Sequence, residues 1–282
     1  AAGFCKTDFS DIRFTASDGT TALDHWMESS VASNNAVFWV ELTDDISSAS
    51  STIYVYYGNS IATSASNGPN TFLFFDDFSV DLSQWTVDPL NTDRVAISAG
   101  ALRHDPDSTG RAYFDTRATT TTFTMTDGLI SYRVYLGGPT NRKIHQMGWR
   151  VNSNALTSGY AWRLQNSTAD GGFFEYVSGA WQARGTAYPL VAANTWHTVE
   201  VRAIGAAMEA FVNGTSVRTI SDSTTAGPAY LNTHVHGVSL VLNTDYVLVD
   251  DIRVRKILAT EPTQGAWGAL ELNPARRKML YY

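Results

Sequence analysis

From Phe72 to Lys256 the chain keeps repeating one pattern, a short run of β-branched and aromatic residues followed by a break of Gly, Asn, Asp or Ser. About a dozen such runs recur at the roughly 8 to 12 residue spacing of a sandwich or barrel. They include Phe72–Phe78, Gly128–Leu136, Lys143–Val151, Tyr160–Gln165, Phe173–Val177, Thr195–Ala203 and Tyr246–Lys256. No stretch sustains a 3.6-residue apolar period, so helices cannot organise this part of the chain. Asn213-Gly214 sits between two of the runs. A type I′ hairpin turn needs positive φ at both central positions, and that pair supplies it. The expectation is an all-β protein with two stacked antiparallel sheets.

Residues 8 to 57 carry three further extended runs, Asp11–Thr15, Ala36–Leu42 and Thr52–Tyr57, separated by turn-forming residues. Gly58–Asn70 is almost wholly Asn, Ser, Ala, Thr, Gly and Pro, without periodicity or bulk, and reads as a linker. The expected division is a small β domain over 1–70, a larger sandwich over 71–258 and a C-terminal extension over 259–282. A net charge of -7 with a pI near 5.3 argues against nucleic acid or an anionic membrane as partner, since both need clustered Lys and Arg. Cys5 is the single cysteine, which excludes an intrachain disulfide and a multi-cysteine metal site. No window approaches the ~18 consecutive apolar residues of a membrane span. The opening Ala-Ala-Gly-Phe runs straight into strand-like sequence. The chain is therefore expected to be a mature or trimmed part of something longer, lacking an upstream strand, and the open edge this leaves is expected to accept a strand from a neighbouring copy.

The strings CKTDFSDIRFT (Cys5–Thr15), DHWMES (Asp24–Ser29), AVFWVEL (Ala36–Leu42), TIYVYYGN (Thr52–Asn59) and FFDDF (Phe74–Phe78) resemble a domain of unknown function of bacterial, archaeal and some viral surface proteins. Residues 71–258 resemble a concanavalin A-like, laminin-G-type jelly roll, through NTWHTVEVRA (Asn194–Ala203), MEAFVNG (Met208–Gly214) and YVLVDDIRVRK (Tyr246–Lys256). The resemblance implies a first strand at Asp76-Asp77 pairing with a last strand at Asp250-Asp251. It also implies a secreted, cell-surface or virion location. The fold hosts lectins, adhesins, glycanases and lyases alike, so function has to come from the site.

Laminarinase-type glycanases on this fold place their carboxylates on one strand as Glu-x-Asp-x-x-Glu, with the two reacting groups about 5 Å apart in retaining enzymes. That string does not occur, and Glu175, Glu200 and Glu209 stand singly on their strands. Alginate-type lyases use a Gln-Ile-His strand with a Tyr and an Arg. The chain has Lys143-Ile144-His145-Gln146 with Tyr160, Arg150 and Arg163, but Lys143 replaces the glutamine. His145 is read as an ordinary strand histidine, and His234 and His236, which alternate on one strand, lack a third ligand at metal-site spacing. An enzyme is therefore the least supported class.

Alternation sorts the remaining candidates. Met147, Trp149 and Val151 share one face of their strand, and Tyr160, Trp162 and Leu164 one face of the next, so both tryptophans are expected in the inter-sheet core. The opposite face is expected to present a polar column of Gln146, Arg150, Arg163, Gln165 and Glu175, with Trp181 as a stacking platform for a pyranose. The doublets Asp76-Asp77 and Asp250-Asp251 are expected to meet around a structural Ca²⁺, a hard cation that takes carboxylate oxygens. The sequence thus predicts a secreted or surface-displayed glycan-binding or adhesive protein, its partner a polysaccharide or glycoconjugate. The alternative is a structural subunit of a virion, filament or surface layer that contacts copies of itself.

Overall fold

The computed structural model describes residues 4–46, 50–89, 94–105, 114–120, 123, 125–138, 144–152, 158–166, 171–177, 180–222, 230–237, 245–258, 260–263, 265, 267–272 and 277–281, with backbone alone at 114–117, 230–237, 267–272 and 277–281. In chain order, β1 (Arg13–Thr15), β2 (Ala22–Leu23), β3 (His25–Val31), β4 (Asn35–Val40) and β5 (Ile53–Tyr57) precede a one-turn helix α1 (Gly68–Thr71). Then come β6 (Phe74–Asp76), β7 (Trp85–Val87), β8 (Val95–Ser98), β9 (Ala101–His104), β10 (Phe114–Thr120), β11 (Gly128–Gly137) and β12 (Ile144–Val151). They are followed by β13 (Gly159–Gln165), β14 (Gly171–Val177), β15 (Ala180–Tyr188), β16 (Trp196–Ile204), β17 (Ala207–Val212) and β18 (Thr215–Ser221). The last four are β19 (Tyr230–Gly237), β20 (Tyr246–Arg255), β21 (Trp267–Leu272) and β22 (Arg277–Tyr281). The protein is all-β, as its alternation predicts.

The chain divides into two compact units, 1–73 with 258–282, and 74–257. The smaller unit is built on a five-stranded sheet of order β2-β1-β5-β22-β21, beside a two-stranded ribbon of β3 and β4. Phe9, Ile12, Phe14, Leu23 and Val55 form its core, with Met27, Phe38 and Val40 of the ribbon packed on them. Burial of His25 against the Phe14 and Phe38 rings, at 5.0 and 5.9 Å between centroids, lowers its pKa. One sequence expectation is corrected here. Residues 259–282 are no separate extension, because β22 pairs antiparallel with β5, Met279 opposite Val55 and Leu280 opposite Tyr54. The same pairing fills the β5 edge with a strand of the chain itself.

The larger unit is a two-sheet jelly-roll sandwich. One sheet has seven strands in the order β15-β14-β13-β12-β19-β10-β7; the other has eight, β18-β17-β16-β11-β20-β9-β8 with β6 on β20. On β16 the alternation buries His197, Val199, Val201 and Ala203 and turns Trp196 and Thr198 outward. Between the sheets, Tyr132, Val134, Leu136, Val199 and Val249 meet Met147, Trp149, Tyr160, Trp162, Leu164 and Phe173. Trp149 and Trp162 are fully buried, as expected. Asn213 and Gly214 take φ of 51° and 75° and join β17 to β18.

Two β-bulges bear on the candidate residues. In β20 the buried positions run Val247, Val249, then Ile252 and Val254, so the period of two is broken at Asp250-Asp251. Asp251 takes φ 51°, and the register against β11 shifts between Ser131 and Arg133. The extra residue keeps the apolar set facing the core on both sides of the break, and a short polar side chain tolerates the left-handed region. In β12, Arg150 takes φ 53° where the register against β19 shifts between Gly148 and Val151.

Candidate functional site

The outer face of the seven-stranded sheet gathers part of the expected column. Gln146 on β12 stands opposite Arg163 on β13, and the Arg163 Nε donates to Gln146 Oε1 at 2.5 Å. The Arg163 guanidinium then lies over the ring of Phe174 on β14, 3.6 Å from its centre. Tyr176 on β14 is opposite Trp181 on β15, with ring centroids 5.2 Å apart in an edge-to-face pair. Gln165 lies further along β13.

The expectation of an open polar column is corrected. Every residue of β12 and β13 is buried, Gln146 and Gln165 completely and Arg163 to within 7%. Both faces of these central strands are covered, so solvent reaches this face at its edge, where Tyr176 and Trp181 are half-buried. Glu175 belongs to the other face. It follows Phe173 by two residues and stands opposite Tyr160 and Gln182, where it is buried in an ion pair with Arg184. Arg184 also holds Asp222 at 2.8 Å. Arg150 leaves the column because its bulge redirects it. Its guanidinium reaches the carbonyls of Thr126 and Gly205 at 2.8 Å each and the carboxylate of Asp127 at 3.0 Å, all three beside strands of the other sheet.

Sequence reasoning missed Phe174 and Tyr176. Their signal was present, since they alternate with the core residue Phe173, but the polar column drew attention away from the face they share with Trp181. It also missed a register row in which His234 on β19 stands opposite both Gln146 on β12 and Arg117 on β10. His236 stands opposite Asp115; the side chains of these two histidines lie outside the described residues, as do Lys143 and the turn Ser178-Gly179. His145 faces the core, fully buried with its ring 5.4 Å from that of Tyr132. The lyase-like string therefore carries its histidine on the face away from Gln146 and Arg163.

The carboxylate doublets lie on neighbouring strands, since β6 pairs with β20 with Asp76 opposite Ile252. Their oxygens do not converge as a calcium cage. Asp76 accepts from the Trp85 Nε1 at 2.7 Å and from the Phe78 N–H at 2.8 Å, and Asp77 accepts from the Ser79 N–H at 3.1 Å. Asp250 and Asp251 share the guanidinium of Arg133, at 2.5 and 2.6 Å. The Arg133 guanidinium sits between the two acids of the bulge. Among the described residues no group of three or more His, Cys, Asp or Glu is arranged for a metal ion. Burial and the neighbouring Asp251 push Asp250 up to about 6, and burial raises Asp76 as well.

These features define a jelly-roll sandwich joined to a small β unit, and comparisons with known proteins agree. The carbohydrate-binding module CBM66 from Bacillus subtilis is 13% identical, with a TM-score of 0.50 over 61% of this chain and 96% of that one. A Bacillus licheniformis β-glucanase is 13% identical, with a TM-score of 0.51 over 65% and 98%. At such identity the likeness is one of fold. In sequence, residues 8–88 match the model of a domain of unknown function, DUF2341. No curated protein matches the chain.

Proposed function

We propose that the protein is a secreted or surface-displayed glycan-binding protein, adhesive and not catalytic, which contacts a polysaccharide or glycoconjugate at the Tyr176–Trp181 end of the seven-stranded sheet. The observation that carries this reading is the continuous set Arg163, Phe174, Tyr176 and Trp181 on one outer face. Arg163 lies over Phe174, while the half-exposed pair at the edge offers the ring surface on which a pyranose can lie. The fold supports it, being shared with a protein described as a carbohydrate-binding module. The same fold carries a β-glucanase, but the acids here favour binding. Glu175 is neutralised by Arg184 within the sandwich, Glu209 on β17 takes the Ser216 hydroxyl at 2.5 Å, and the paired-carboxylate string is missing.

A glycan array probed with the full chain tests the proposal. Retention on at least one glycan is expected, reduced about tenfold by Trp181→Ala, as for loss of an aromatic contact with its buried area. Undiminished retention by Trp181→Ala would move the site elsewhere.

A further inference from the structure

On the outer side of the eight-stranded sheet, three rings and two guanidinium groups line up across four adjacent strands. Trp196 on β16 stands opposite Tyr135 on β11, with ring centroids 5.5 Å apart. The Tyr135 ring stacks on Tyr246 of β20 at 6.0 Å and 19°. Arg133 lies over the Trp196 ring at 4.9 Å, and Arg103 of β9 over Tyr246 at 4.3 Å. Trp196 is 36% exposed, an unusual degree for a tryptophan on a sheet.

The row is held in place. Gly137 is the residue opposite Tyr246, and a Cβ there would fall 2.4 Å from the Tyr246 ring and 2.8 Å from that of Tyr135. Only glycine leaves room for the two rings to lie side by side. At the other end, Asn194, with φ 55°, accepts the Gly138 N–H on its side chain at 2.9 Å and gives its own N–H to the Leu136 carbonyl at 2.9 Å. The turn that carries Trp196 is thereby tied to the end of β11. Rings fixed before contact lose little conformational freedom on binding.

Both guanidinium groups in the row are paired with carboxylates. Arg103 pairs with Asp105 at 2.7 Å and Arg133 with Asp250 and Asp251. Such a row offers aromatic faces, two phenol hydroxyls and guanidinium N–H groups, and with both guanidiniums paired to carboxylates it has no cationic excess that would recruit an anionic ligand. That chemistry suits a neutral pyranose chain, whose CH groups stack on rings while its hydroxyls take the polar edges. We propose that Trp196, Tyr135 and Tyr246 form a second glycan-contacting surface, on the sheet opposite the Tyr176–Trp181 edge. It uses none of that edge's residues and stands or falls separately.

Native electrophoresis of the full chain through gels cast with laminarin, hydroxyethyl cellulose or galactomannan tests this, with Trp181→Ala as the report on the other sheet. In at least one gel the wild type is expected to be retarded. Trp196→Ala and Tyr246→Ala should each weaken that retardation about tenfold, with an unchanged thermal midpoint for Trp196→Ala, and Trp181→Ala should leave a retarded species that Trp196→Ala then removes. Retardation equal to wild type in both Trp196→Ala and Tyr246→Ala would overturn the proposal while leaving the other edge in place. Absence of retardation in all three gels would also overturn it. So would a concentration-dependent dimer of the wild type that Trp196→Ala dissolves, since the occupant would then be a second copy.

Discussion

Arg163 is a surface residue by alternation and an interior one by burial, and its truncation separates the two. Arg163→Ala withdraws the donor to Gln146 and the cover of the Phe174 ring, both in a buried setting. It should cost about 1 to 3 kcal/mol, the range for a buried polar group that loses its partner. Its neighbour Trp162 fills the inter-sheet core, and Trp162→Ala should cost about 3 to 5 kcal/mol. Urea unfolding of both variants checks the order, and a surface-like value within about 0.5 kcal/mol for Arg163→Ala would contradict it. Asp250 gives a second residue-scale expectation. Its folded pKa, about 6, lies above the ordinary value of 3.8, so the native state holds the proton more tightly than the unfolded chain. The stability it confers is therefore full below about pH 4 and is lost as pH rises through 6. The difference in thermal midpoint between wild type and Asp250→Asn should shift against the wild type over that window. A difference that is flat with pH, or that moves the other way, would show that Arg133 fully compensates the buried charge.

At the scale of elements, what the sequence made legible was period, and what it hid was interruption and order. Trp149, Trp162, Val199 and Val201 fall inward because the alternation through their strands is unbroken. Arg150 leaves the face that alternation assigns it because it sits in a bulge, where one extra residue redirects a side chain, as one does at Asp250-Asp251. Glu175 shows a different limit. Its spacing from Phe173 already placed it on the core face, but a buried glutamate is improbable until its partner is known, and Arg184 comes from the next strand. Strand order across a sheet is set by long-range pairing, so neither the row of Arg117, His234 and Gln146 nor the pairing of β22 with β5 could be read from local pattern. The second of these carries a test. Ending the chain at Leu258 removes β21 and β22 and uncovers the β5 edge. Limited proteolysis should then cut readily within 1–73 and spare 74–257. Equal resistance of the first segment in the shortened and full chains would mean that β22 contributes little to it.

At the scale of the whole molecule, the sandwich has a fully packed centre, and its aromatic residues surface at chosen places. A wide polar cleft is not what the buried strands β12 and β13 provide. Recognition is instead assigned to ring surfaces with few rotamers and braced neighbours, which suits shallow and repeated contacts with a polymer better than enclosure of a single sugar. An adhesive protein works through many such contacts. Under the proposed function a glycan touches the Tyr176–Trp181 edge, and hydrogen exchange of the full chain, with and without the oligosaccharide selected by the array, tests that contact. Slowed exchange in residues 171–188 is expected on addition of the sugar. Exchange there that is unchanged at saturating sugar would contradict it.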